Sequence, residues 1–380
     1  METEALNGER LTDLRDLLEL SQTTLADRLG VKQAFISMVE SGARPLPDSL
    51  AADAIEEFSL PQSFFAVPTS LRDAAPVTFR KKASASVRDE RRIVTKHKEA
   101  ARLFAQVCEE AGYKRSSLPD PADYDGDSAL LAEAVRGLVG LGPEEPIRNV
   151  TRLLEKLGVG VLAALEPGTA DDKDHVSMSR PADAMGRPLI AMVASCPGDM
   201  ARLSLAHELG HLIFDRSRAK PIPSTRSPEE TRAYDFASEL LVPDTVMRRN
   251  VGESLTLQGY LPLKAKYGIS AAALIMRAQR MGLISQDRAR SLHIQRSSQG
   301  WRRHEPVAVT DEKAMLFGQC YARSFPGEDN AQVSDATGVM VSLLDDWFPE
   351  NQVTSTVISL SDWRLRRGGS PAGARTDKTM

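Results

Sequence analysis

One run of this sequence specifies a chemistry by residue type and spacing: His207-Glu208-Leu209-Gly210-His211. Four residues make about one helical turn, so on a helix both imidazoles share a face. Two imidazoles so placed can hold one zinc ion. Glu208 beside them can take a proton from a zinc-bound water, the chemistry of metal-assisted peptide hydrolysis. Leu205, Leu209, Leu212 and Ile213 form an apolar stripe that buries such a helix, and Ala206 and Gly210 leave room around a metal. The chain has only six histidines, which makes the pattern rare by chance. The competing reading is a buried helix with two hydrogen-bonded histidines.

Zinc needs a third protein ligand and an open fourth position. Residues 227–243 read as a second helix, with Ser227 as N-cap, Pro228 at the first helical position and Glu229 and Glu230 in the first turn. Ala233, Phe236, Ala237, Leu240 and Leu241 give it an apolar face, and Pro243 stops it. A carboxylate near its start can reach back to the metal. Taken alone, either glutamate is equally a solvated helix start.

Together the two helices resemble the ImmA/IrrE family of metallopeptidases, whose histidine helix of HELGH type precedes a helix of the form E-x-x-A-N-x-F-A-x-x-L-L-M-P. The matching stretch here runs from Glu230 through Ala233, Tyr234, Phe236, Ala237, Leu240 and Leu241 to Pro243. Counted back from that proline, the resemblance puts the third ligand on Glu230, with Glu229 one residue out of register. The family's Asn is Tyr234 here. That position lies one turn after the ligand, where a side chain often supports a ligating histidine; a hydrogen bond to an oxyanion is the other role open to Tyr234.

A second motif lies nearer the start. Ser21-Gln22-Thr23-Thr24-Leu25-Ala26-Asp27-Arg28-Leu29-Gly30 is followed by a segment with Ile36 and Val39 as apolar anchors and closing on Glu40-Ser41-Gly42. It resembles the helix-turn-helix of the Cro/repressor (XRE) family. In that family the second helix enters the major groove. The resemblance implies Lys32, Gln33, Ala34, Phe35 and Ser37 facing bases and Gln22 and Arg44 near phosphates, on an operator bound as a dimer. Charge argues the other way: residues 1–68 carry twelve Asp/Glu against five Lys/Arg, a net of −7. Residues 80–102 carry nine Lys/Arg against three Asp/Glu, a net of +6. That basic stretch could reach phosphates, pair with the acidic first domain, or be a solvated helix face.

The rest of the chain is bounded more loosely. No run of eighteen apolar residues predicts a membrane span, and the polar, acidic start predicts no signal peptide. Three scattered cysteines, Cys108, Cys196 and Cys320, read as packing residues in a reducing cytoplasm. Helices are predicted at 88–112, 128–140 and 146–157, with strands at 158–165, 176–179 and 188–194. Residues 187–195 are the expected edge strand that holds an extended substrate. A helix-turn-helix shape at 261–285 reads as packing on the zinc helices.

The fold expected is mainly α with a small sheet (α+β): an all-α helix-turn-helix domain at 10–67, a connector at 68–149, a minimal zincin-like (gluzincin-type) metallopeptidase domain at 150–295, a small cap or partner-binding unit at 296–364 and a disordered tail at 365–380. The function expected is a cytoplasmic DNA-binding regulator with a zinc endopeptidase acting on a protein partner such as a repressor. Two alternatives stand beside it. One is an antitoxin-like or repressor protein whose peptidase fold binds a partner such as a toxin without cleaving it. The other is a peptidase whose helix-turn-helix only docks partners.

Overall fold

A computed structural model describes residues 6–68, 78–81, 86–167, 175–179, 186–216 and 227–351, with the backbone alone at 78–81, 175 and 176. The expected tail at 365–380, the 352–364 part of the unit expected at 296–364 and the 69–77 part of the connector lie outside these residues.

Helical spacing of apolar residues in the first sixty positions closes into a small unit. The helices α1 (Arg10–Leu18), α2 (Gln22–Arg28), α3 (Gln33–Glu40) and α4 (Asp48–Phe58) pack around Leu11, Leu14, Leu25, Ile36, Val39 and Leu50. Ser21 caps α2 by accepting the Thr24 N–H at 3.0 Å, and Gly30, at φ 65°, makes the turn into α3. Glu40 ties the unit together. Its carboxylate accepts Arg15 Nε at 2.6 Å from α1 and Gln22 Nε2 at 2.7 Å from α2.

The chain then contributes β1 (Thr78–Lys81) and the long helix α5 (Val87–Glu110). Next come α6 (Ser128–Leu138), α7 (Val150–Lys156), β2 (Gly160–Leu162), β3 (His175–Ser179) and β4 (Leu189–Met192). The four strands form one sheet in the order β1-β3-β4-β2. β2 is parallel to β4; β3 is antiparallel to β4 and to β1.

The expectation of an edge strand at 187–195 is therefore corrected: β4 is interior. Ile190 and Met192 bury into one core, while Leu189, Ala191 and Val193 bury into the other. A run apolar at every position marks a strand covered on both faces, whereas a half-solvated strand alternates. The residues in sequence carried that signal.

One face of the sheet is covered by α8 (Gly198–Phe214), α9 (Pro228–Leu241), α10 (Asp244–Asn250), α11 (Leu261–Tyr267), α12 (Ala271–Arg280) and α13 (Gln286–Ser298), together with α6 and α7. The 261–285 region contributes Leu263, Tyr267, Leu274 and Ile275 to this core. The other face is covered by α5 with α14 (Leu316–Ser324), α15 (Asn330–Thr337) and α16 (Val341–Trp347). Glu155 of α7 starts α14 by accepting the Met315 and Leu316 N–H groups at 2.5 and 2.7 Å. The late unit is thus part of the main body. Cys108 of α5 and Cys320 of α14 are both buried, with their sulfurs 3.1 Å apart.

The helix-turn-helix unit is fastened to this body by a buried guanidinium. Arg10 donates to both oxygens of Glu99 on α5 (2.6 and 3.2 Å), to Asp13 (3.0 Å), to the Phe64 carbonyl (3.1 Å) and to the Gly338 carbonyl (2.9 Å). Arg102 approaches Glu99 from the other side at 3.0 Å. Burial works against the Glu99 charge, but Arg10 and Arg102 outweigh it and hold the carboxyl down to about 2. Two cations of the basic 80–102 stretch are spent likewise. Arg92 pairs with Glu19 and Glu166, and Lys96 with Glu166 at 3.0 Å.

A lowered carboxylate contributes stability that is complete above its ordinary value near 4.5 and is lost as pH falls toward about 2. Removing it strands two buried cations. Glu99→Ala should therefore cost about 3–5 kcal/mol in denaturant unfolding at neutral pH. An Arg10→Met/Glu99→Met pair should cost less than the sum of its single changes. A Glu99→Ala loss under about 1 kcal/mol would show that the fastening is not electrostatic.

Candidate metal centre

Helix α8 is buried nearly all round: Leu205, Ala206, Leu209, Leu212 and Ile213 pack into the core, and His207, Glu208 and His211 are buried beside them. A polar group in such a place must be satisfied by a neighbour or a ligand. Gly210 allows the neighbour to come close. A Cβ there would lie 3.0 Å from the Ala233 Cα of α9. Ser227 caps α9 by accepting the Glu230 N–H at 3.3 Å, and this sets Glu230 in the first turn, facing α8.

The three donors converge. His207 Nε2 lies 3.1 Å from His211 Nε2. Glu230 Oε2 is 3.2 Å from His207 Nε2, and its Oε1 is 3.4 Å from His211 Nε2. All three ligand atoms fall within 4.8 Å of one another. A tetrahedral zinc with bonds of about 2.0–2.1 Å needs its ligands about 3.3 Å apart, so the donor set and its spacing fit that ion. Glu229, the out-of-register alternative, is not in this cluster among the described residues.

Electrostatics favour a cation here. Burial opposes the Glu230 charge, but the two imidazoles hold its carboxyl far below the usual carboxylate range. Burial also pulls the His211 imidazole down, yet hydrogen bonds to Asp215 and Glu230 outweigh it and raise it to about 9. Protons and a divalent cation compete for the same negative cradle.

Sequence reasoning missed the residue that orients His211. Asp215 Oδ2 lies 2.7 Å from His211 Nδ1, and its Oδ1 accepts Arg232 Nη2 at 2.9 Å. The signal was a carboxylate four residues after the second histidine, on the same helical face. Two serines of β3 were missed as well. Ser177 Oγ donates to Glu208 Oε1 at 2.9 Å and Ser179 Oγ to Oε2 at 2.6 Å. They are two apart on a strand and so share a face. Tyr234 is buried one turn beyond Glu230, with the Arg280 guanidinium 4.8 Å from its ring centre. It lines a separate cleft of about 230 Å³ with Ser238, Glu239 and Arg277.

In the first domain, Lys32, Gln33, Ala34 and Arg44 are exposed, while Gln22, Phe35 and Ser37 are half-buried. Gln33 Nε2 donates to Gln22 Oε1 at 2.6 Å, bracing α3 against α2. Phe35 packs on the domain core, with Arg44 5.5 Å from its ring centre. The body is gripped through α1 and the 64–66 turn, which leaves the outer side chains of α3 in solvent.

Loss of Asp215 should free the His211 ring. Asp215→Ala is expected to weaken zinc binding about 10–100-fold in competition with a chromophoric chelator. Unchanged affinity would assign Asp215 to structure alone.

No curated protein matches this chain. Residues 11–58 match the helix-turn-helix family, and residues 155–279, which contain α8, α9 and all three donors, match the peptidase family described as the IrrE N-terminal-like domain. Among the described residues no helix is long and apolar enough to cross a membrane. The chain thus joins a helix-turn-helix domain of XRE type to a peptidase-family domain of the ImmA/IrrE kind.

Proposed function

We propose that this chain is a DNA-binding regulator whose second domain is a zinc-dependent endopeptidase acting on a protein partner such as a repressor. The observation that carries this reading is the convergence of His207, His211 and Glu230 with Glu208 on the same buried helix. Zinc held there would polarise a peptide carbonyl and ease ionisation of a water. Glu208 would receive that water's proton and pass it to the leaving amine. Ser177 and Ser179 hold the carboxylate in place. Each of its oxygens accepts one hydroxyl and retains a lone pair for the reacting water.

The DNA half rests on α3, with Gln33 and Ser37 as the base readers and Lys32 and Arg44 toward phosphates. A dimer would place two such helices about one DNA turn apart. The acidic balance of 1–68 opposes long-range attraction to DNA, and the basic charge of α5 at Arg92, Lys96 and Arg102 is already paired inside the protein. Affinity should be modest.

A second reading keeps the fold and drops the cleavage: an antitoxin-like or repressor protein that binds its partner through the peptidase domain. The observation favouring it is that Glu208 is buried with both oxygens engaged by hydroxyls.

Glu208→Gln separates the two. On the peptidase reading it retains zinc and loses about 10²–10⁴-fold in cleavage of a co-purifying partner. If wild type and variant both leave every co-purifying partner intact while still holding it, the binding reading stands. For DNA, a Gln33→Ala/Ser37→Ala variant should lose preference for the upstream DNA of its own gene over random DNA across a salt titration. Equal wild-type affinity for both DNAs would remove the regulatory half.

A further inference from the structure

The strand β1 does not belong to the region that matches the peptidase family, which begins at residue 155. It comes from the connector between the two domains and adds to the outer edge of β3. β3 is the strand that touches the reactive carboxylate: Ser177 and Ser179 both donate to Glu208. The register sets the connector's Thr78 opposite Ser179 and Phe79 opposite Met178, antiparallel, with a bulge before Lys81 meets His175. Without β1, β3 would present a row of unpaired backbone N–H and C=O groups along the side of the sheet nearest Glu208. Such an edge takes up extended peptides by strand addition, with backbone hydrogen bonds for affinity.

The occupant is tethered at both ends. On one side is the first domain, fastened to α5 through Arg10 and Glu99; on the other is α5 itself, which starts at Val87 only six residues after Lys81. A strand held this way competes at an effective concentration on the order of millimolar. Its ladder runs the length of β3 but is broken by the bulge between Phe79 and Lys81, so an extended segment that pairs in unbroken register can outbid it.

We propose that the β3 edge is the docking site for an extended segment of the protein partner, and that residues 78–81 are the chain's own placeholder on it. The partner enters by displacing the connector, so occupancy of the peptidase edge and the path of the chain to the DNA-binding domain are one equilibrium. This rests on the peptidase reading above for its meaning, but the docking itself needs no catalysis.

The test is strand exchange in metal-free full-length protein. In one variant residues 78–81 are replaced by Gly-Ser-Gly-Ser, and the probe is a fluorescent synthetic peptide spanning residues 74–85. The variant should bind the probe at least about tenfold more tightly than wild type does, because its own strand no longer competes. A probe carrying Thr78→Pro and Arg80→Pro should not bind. Amide hydrogen exchange over residues 175–179 gives a second readout on the same proteins: slow in wild type, faster in the variant, and slowed again by the probe. Equal probe binding by wild type and variant, or exchange at 175–179 unchanged by the replacement in a variant whose thermal unfolding stays cooperative, would overturn the proposal. Probe binding without cleavage of any partner would leave the docking edge standing and remove the peptidase reading; cleavage with no strand exchange would do the reverse.

Discussion

The structure is organised around one demand: a helix buried nearly all round carries three polar side chains in succession of function, His207, Glu208 and His211. A buried polar group left without a partner costs about 1–3 kcal/mol, and a charged one more. The elements around α8 meet that demand. β3 brings two hydroxyls to Glu208, α9 brings Glu230 to both Nε2 atoms, and the end of α8 turns Asp215 back onto His211. Gly210 is part of the same solution, since a side chain there would meet the backbone of α9 and move Glu230 away. The local sequence is therefore tuned for a site more than for a core, and its donor set suits a cation.

A second buried charge system makes two domains behave as one body. Glu99 sits between Arg10 and Arg102, and the same guanidiniums take the Gly338 and Thr337 carbonyls. One cluster thus joins the helix-turn-helix unit, the connector helix and the late helical unit. Buried ion clusters of this kind add little net stability over packed apolar residues but cost heavily when one partner is removed. The late unit, which follows the family-matched region, gains a clear role from this. It covers the second face of the sheet together with α5 and, through Gly338 and Met340, supplies part of the surface on which the first domain rests. Lys264 adds a similar tie on the opposite side, pairing with Asp199 of α8 at 2.6 Å and with Glu305 at 3.0 Å.

What was legible in the sequence was local. The histidine spacing, the Ser227 cap with Pro228 and the apolar faces of the two site helices are set within one or two turns, and so is the helix-turn-helix. What was not legible depends on distance. β1 lies inside the stretch expected to be a connector, because four residues have no periodicity to distinguish them. The interior position of β4 was available in its unbroken apolar run but was set aside for an edge role. Arg10 and Glu99 are 89 residues apart and Cys108 and Cys320 are 212 apart; nothing in either neighbourhood announces its partner. Asp215 was the near miss, a helical neighbour of His211 one turn past the motif.

The claim on which the account depends is that α8 and α9 build a three-donor zinc site. X-ray absorption at the zinc edge, on purified protein loaded with one equivalent of zinc, addresses it directly. The account predicts one tightly held zinc per chain with two imidazole nitrogens and oxygen donors at about 2.0–2.1 Å, and loss of that signature in His211→Ala. Zinc ligated by sulfur, or protein that takes up no zinc at that loading, would contradict it.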